Sequence, residues 1–320
     1  MAHDIDMSNS RVNFALTGEP AWHQLGNYMT ADASLEEWGT EGGFNWEAVR
    51  APVRYHNGKD FVTMPNRFVI HRSDTGAPLS VMSSNFRITQ PKQCLEFFRD
   101  VVEAGNAKME TAGMLAGGAK FWALARFDDS FSLPGDGQIL PYLLMATSLD
   151  GSMSNTAMLT TVRVVCQNTL AIADSSGKNV VRVPHSTDFD AQRVKAQLGV
   201  MGEGWSKFKS TATEMARMTV SRKDAVQFFL DLLYPDESDV DLTIPRPALN
   251  GMIETYEHGI GQLTESAKGT VWGLLNACTR YVDFNKASKS TDTRLQSAWF
   301  GAGANLKARA FSMAEKMVTT

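Results

Sequence analysis

Cysteine is scarce in this chain: three in 320 residues, at Cys94, Cys166 and Cys278, far apart and none in a C-x-x-C pair. That number closes no disulfide framework, so buried thiols in a reducing, cytoplasmic setting are expected. Histidine is sparse too. His3, His23, His56, His71, His185 and His258 make no H-E-x-x-H and no His–Cys cluster, so no metal is expected. No run of about eighteen apolar residues is present, which argues against a spanning helix. The start, MAHDIDMSNS, carries Asp4 and Asp6 with no apolar run behind them, unlike a secretory signal. The patterns G-x-G-x-x-G, G-x-x-x-x-G-K-[ST] and G-x-S-x-G are missing as well. Ser154, Asp150 and His185 supply the residue types of a hydrolytic triad without a spacing that unites them. No cofactor and no catalytic residue is therefore expected.

There is no overall excess of positive charge either; the formal net charge is −4. Its distribution is uneven. Residues 161–230 carry ten basic against six acidic side chains, 231–267 carry one against eight, and 268–320 carry eight against three. Basic stretches on both sides of an acidic one can fold into a charged groove beside an acidic face.

What is present is an ordinary globular composition, 43% apolar and 21% charged. Four stretches are expected: an N-terminal arm with short helices (1–50), a central α+β domain (51–234), an acidic proline-bearing linker (235–250) and a C-terminal helical region (251–320). Ser34 with Glu37 forms a capping-box pattern before LEEWG. His56-Asn57-Gly58-Lys59 reads as a tight hairpin turn, because Asn-Gly favours positive φ. PKQCLEFFRDVVEAG (91–105) predicts a helix with proline at its start and glycine at its end.

From residue 108 to 183 the periodicity turns to that of a sheet. KMETAGML, AKFWALARF, ILPYLLMATSL and AMLTTVRVVC are joined by short turn-rich links. Parallel neighbours would need long crossovers, so the pattern predicts an antiparallel meander. Helices are expected within 189–218, with a break near Gly199–Gly204, and over 221–234, where Ser221 and Asp224 suit the cap. Further helices are expected around 250–264, over 270–284 and in NLKARAFSMAEKMV (305–318). The expected fold class is α+β: an antiparallel β-meander with packed helices.

The alternation of AKFWALARF puts Lys120, Trp122 and Arg126 on one face, a ring for stacking between cations for phosphates. In TTVRVVCQNTL, Arg163 sits mid-strand and must meet solvent, a carboxylate or a ligand phosphate, while Asn168 sits where the strand passes into a turn. Arg182, Arg193, Lys195, Lys207 and Lys209 form a recurrent cationic series, and Trp205 lies among them as a second stacking candidate. Each has an ordinary structural reading as well: ion pairing, capping or core packing.

GEPAWHQLG, GGAKFWALARF, VRVVCQNTL, VWGLLNACTRYVDF and AWFGAGANLKARAF together resemble the phage- and plasmid-borne family of unknown function numbered 932. In that family Trp22-His23 is usually followed by glycine, where this chain has Gln24. The family's Asn-Ala-x-Thr-Glu-Tyr-x-Asp-His stretch corresponds to Asn276–Phe284, with Arg280 in the acidic place and Phe284 in that of the histidine. The resemblance implies a mobile-element role and no particular activity. A meander followed by a long helix is also similar to the core of Rad52-like single-strand annealing proteins, an analogy of fold alone. Together these lead to an expectation of single-stranded DNA binding, with ATP-independent annealing by a homo-oligomer in mobile-element recombination. The alternatives are a phage or plasmid structural module with a phage or host protein partner, and an enzyme using His23, Arg163 and Asn168.

Overall fold

A computed structural model describes residues 6–7, 12–17, 26–103, 107–163, 168–171, 180–198, 203–236, 245–288, 294, 297–299 and 301–319. The fold is mixed α+β, with two sheets and packed helices. The chain divides into two units built from interleaved segments. The first comprises Met1–Asp128, Tyr142–Met158 and Val180–Leu198; the second comprises Asp129–Pro141, Leu159–Asn179 and Gly199–Thr320. Neither coincides with one of the four stretches read from the sequence.

The first unit holds most of the expected meander. β6 (Ala107–Leu115) pairs antiparallel with β7 (Lys120–Phe127), which pairs with β9 (Gln138–Ser148). The link between β6 and β7 is Ala116–Gly118, where Gly117 and Gly118 both have positive φ. β10 (Asn155–Arg163) follows β9 after a short turn and pairs through its first half with β12 (Val180–Val183). β9 and β10 both run on into the second unit.

Among the described residues of the first fifty, two short strands join this sheet. β1 (Phe14–Leu16) joins β6 antiparallel, and β2 (Asn27–Tyr28) joins β1 in parallel. The reason is burial: Phe14, Ala15 and Leu16 are all in the core. Helix α1 (Leu35–Glu41) starts on the expected capping box of Ser34 and Glu37. The helix expected over 91–105 is broken into α2 (Pro91–Glu96) and α3 (Arg99–Glu103). Phe97 and Phe98 lie at the break, both 0% exposed. Successive residues on a continuous helix diverge by about 100°, so the break lets both rings enter the core. There they meet edge-on, 5.3 Å between ring centres, and the same unit also buries Trp38, Phe44, Phe121 and Cys94.

A separate three-stranded sheet belongs to the same unit, in the order β3 (Ala48–His56), β4 (Phe61–Arg72) and β5 (Pro78–Ser83). β5 pairs only with Arg67–His71, so the far parts of β3 and β4 continue beyond it as a two-stranded ribbon. The ribbon turns at the expected Asn57-Gly58, where the Asn57 side-chain oxygen accepts from the amides of Lys59 and Asp60, each at 2.9 Å. Pro52 is tolerated because β3 is an edge strand.

Arg72 anchors the root of this ribbon. Its guanidinium is 1% exposed, donates to Asp6 at 2.6 Å and to both oxygens of Asp74, and lies over the Trp46 ring. It also donates to the Gly117 carbonyl, joining the ribbon's base to the β6–β7 turn. So buried a cation needs this full set of acceptors.

In the second unit, the latter half of β10 pairs with β11 (Asn168–Ala171), and β8 (Phe131–Ser132) pairs with the start of β9. The helices are α5 (Glu203–Arg217), α6 (Arg222–Leu233), α7 (Pro247–His258), α8 (Val271–Arg280) and α9 (Ala302–Thr319), with α4 (Ala191–Leu198) belonging to the first unit. Ser221 and Asp224 cap α6 as the sequence predicts. A short π-helix, Tyr281–Asn285, extends α8. Helices α5, α7 and α9 pack on α8 around Phe208, Phe229, Trp272 and Phe311. The described strands form no closed or curled sheet, so they lend no support to a Rad52-like β-β-β-α core as the finer reading of the fold.

Candidate nucleic-acid interface

Period-two alternation sets Lys120, Trp122 and Arg126 on one face of β7, as read from the sequence. Partners remote in sequence occupy them. Lys120 Nζ lies 3.8 Å from Asp150, and Arg126 lies 3.5 Å from Glu110. Glu110 is the extra residue at a bulge in β6, and it also accepts the Tyr142 hydroxyl at 2.7 Å. Burial pushes the Glu110 carboxyl above its usual range; the Tyr142 hydrogen bond and the Arg126 charge oppose this without cancelling it. Trp122 is half-buried, with its ring 5.9 Å from Phe14 and its edge over Gly113.

The helical cations are engaged in the same way. Lys195 is buried, with its ammonium 5.4 Å from the centre of the Phe97 ring. Lys207 pairs with Glu315 at 2.9 Å and Lys209 with Asp129 at 2.7 Å. Trp205 is 1% exposed; its indole N–H donates to the Asp129 carbonyl and its ring stacks on Phe208. That ring has no face left for a base in this conformation, because it completes the core of the second unit. Arg182 and Arg193 are exposed and make no ion pair among the described residues. Arg163 and Asn168 face each other as backbone partners in the β10–β11 ladder. Residues 164–167 and Trp22-His23 lie outside the described residues, as do residues 237–244 of the acidic stretch 235–250.

His185 and Asp150, two of the triad residue types, engage other groups. His185 directs one ring nitrogen to the Arg87 carbonyl at 3.1 Å and the other to the Met153 carbonyl at 3.0 Å, and stacks on Phe86. Asp150 accepts from the Ser152 amide and hydroxyl. His56 and His71 pair with Phe61 and Val49, at opposite ends of β3. Among the described residues no three His, Cys, Asp or Glu side chains are grouped as a metal would need.

The ribbon is the surface that the sequence reading passed over. Arg54, Lys59 and Arg67 are exposed and make no ion pair among the described residues. Tyr55 is 51% exposed and Phe61 73%. His56 packs edge-on against Phe61 across the ribbon, 5.3 Å between ring centres. Asp60 is the single acid between Ala48 and Arg72. The available signal was compositional: cations and rings alternating on either side of a strong turn, with almost no acid among them.

The two departures from the resembled family pattern form a contact of their own. Arg280 and Phe284 are four residues apart, and the guanidinium lies 4.8 Å over the ring. Next to them, Asp283 makes a buried 2.7 Å ion pair with Lys307 of α9.

Residues 78–299 match the family described as Domain of unknown function (DUF932), so the chain belongs to that family. No curated protein and no solved structure matches it. The ribbon from Ala48 to Arg72 precedes the matched segment. Among the described residues, no helix is long and apolar enough to cross a membrane.

Proposed function

We propose that this protein binds single-stranded DNA, and that the β3–β4 ribbon carries the contact. The observation behind this reading is the set of cations Arg54, Lys59 and Arg67, exposed and without an ion pair among the described residues, beside the exposed rings of Tyr55 and Phe61. Cations supply sequence-independent attraction to phosphates, and rings accept any base by stacking. A net negative chain can bind DNA in this way, since the charge that matters is local. Annealing of strands by an oligomer, in the mobile-element setting the resemblance implies, belongs to the same proposal. The cationic series on β7 and α5 has lesser weight, because Lys120, Arg126, Lys207 and Lys209 already face carboxylates.

Titration of a fluorescently labelled oligonucleotide tests it. Three phosphate contacts on a single strand give a slope of log affinity against log salt of about −2. The triple variant Arg54→Glu, Lys59→Glu, Arg67→Glu abolishes binding, whereas Lys207→Glu with Lys209→Glu leaves most of it. Equal affinity for wild type and the ribbon variant would refute the proposal.

A protein-interaction role is the second reading, favoured by the outward side of the three-stranded sheet. There Val49 is 36% and Val81 55% exposed. Indifference to oligonucleotides, together with a stable protein complex lost on Val81→Asp, would decide for it.

A further inference from the structure

Resting on the ribbon reading above, we infer that the preferred ligand is a forked junction, a duplex opening into two single-stranded arms, with the ribbon seated between the arms. The argument comes from which side of the ribbon each group occupies. Cross-strand partners share a face and neighbours along a strand alternate. Arg54 stands opposite Thr63 and His56 opposite Phe61, so Arg54, His56 and Phe61 share one face. Tyr55, opposite Val62, is on the other. Arg67 is paired with Ser83 and lies two residues from Val69, which pairs with Val81 and Ala51. The register shift between Pro52 and Arg54 puts its extra residues on β4, so alternation along β3 from Val49 through Ala51 and Val53 still carries Tyr55 to the same side as Arg67. Each face therefore bears one guanidinium and one exposed ring.

A surface that tracks one continuous strand needs successive stacking platforms in a row along a single groove. This ribbon instead offers one base platform and one phosphate contact on each side. Two strands diverging past it would each find a ring and a cation. Lys59 stands at the turn, where the phosphates of a fork come closest. The turn is held by the two hydrogen bonds to Asn57 and a third from the Gly58 amide to His56 Nδ1 at 3.2 Å. The rings are thus presented by a pre-formed support, with little ordering left to do on binding.

The test is fluorescence anisotropy on four DNAs of shared sequence: a fork with two non-complementary arms, the same duplex with one arm, an arm alone, and the blunt duplex. The fork is expected to bind about tenfold tighter than the one-armed duplex, the gain from one further stacked base. Tyr55→Ala and Phe61→Ala each bring the fork to the one-armed level. Both side chains are exposed, so circular dichroism and thermal midpoint are unchanged. Equal affinity for fork and one arm overturns the inference while leaving single-strand binding in place. So does a preference that survives both substitutions. Absence of binding to all four DNAs overturns the ribbon reading itself.

Discussion

Replacing Lys307 with methionine would leave the Asp283 carboxylate buried opposite an alkyl chain. The two side chains are 5% and 8% exposed and their charged atoms stand 2.7 Å apart. Removing one member of such a pair costs about 3–5 kcal/mol, most of it the penalty of an uncompensated buried charge. Asp283→Leu should cost a similar amount by removing the carboxylate that lies 2.7 Å from the buried ammonium. The double variant, Asp283→Leu with Lys307→Met, removes both charges and should return to within roughly 1–2 kcal/mol of the native chain, because well-packed apolar pairs replace buried ion pairs at little cost. Urea unfolding followed by tryptophan emission reports on this unit, whose core contains Trp205 and Trp272. With slopes of about 1–3 kcal/mol per molar urea, the single variants shift the midpoint downward by roughly 1–5 M. Single losses below about 1 kcal/mol, or a double variant as poor as the sum of the singles, would refute the reasoning.

Gly118→Ala places a Cβ 2.7 Å from the Arg72 guanidinium at a φ of +94°, whereas Gly58→Ala at φ +100° meets nothing within 4 Å. Both carry backbone strain of about 1–3 kcal/mol, so thermal midpoints should fall for both and further for Gly118→Ala. His185→Ala loses the Phe86 stack and two carbonyl contacts, a cost of about 2–4 kcal/mol to be read as a lowered urea midpoint. Glu110, whose carboxyl is raised by burial, binds its proton more tightly when folded. Its contribution to stability is therefore fully present at pH below the ordinary carboxylate range and declines as pH rises through the raised value. Glu110→Gln should flatten that decline in midpoints measured from about pH 4 to about pH 7. Cys94 and Cys278 are buried, which pushes the Cys278 thiol to about 12 and Cys94 higher still. Mass mapping after iodoacetamide treatment of the folded chain should find both unmodified.

Local rules carried the sequence reading where the cause was local. Ser34 with Glu37 and Ser221 with Asp224 form capping boxes from residues three apart, and the Asn57-Gly58 turn follows from two adjacent residues. The meander was legible because short links leave antiparallel pairing as the economical solution. Phe14–Leu16 escaped because three apolar residues carry no period, and their place beside β6 depends on a strand about a hundred positions away. The π-turn after Arg280 likewise has no composition of its own.

The site was less legible for a related reason. A cation's availability is decided by its neighbours in space, and for Lys120, Arg126, Lys207 and Lys209 those neighbours are 30, 16, 108 and 80 positions away, at Asp150, Glu110, Glu315 and Asp129. Charge counts along a segment cannot separate a neutralised lysine from an open one. Counting works where geometry limits which partners can come near. A hairpin whose outer part extends past its sheet has neighbours mainly within its own two strands; β3, β4 and their turn together contain Arg50, Arg54, Lys59, Arg67 and Arg72 against Asp60, with Arg67 at the base of the ribbon where β5 pairs. Arg72 is satisfied at the root and Arg50 lies over Phe68, which leaves Arg54, Lys59 and Arg67 to solvent. Recognising the hairpin first and counting charge within it afterwards leads to the ribbon; counting along the chain leads to the paired cations of β7 and α5.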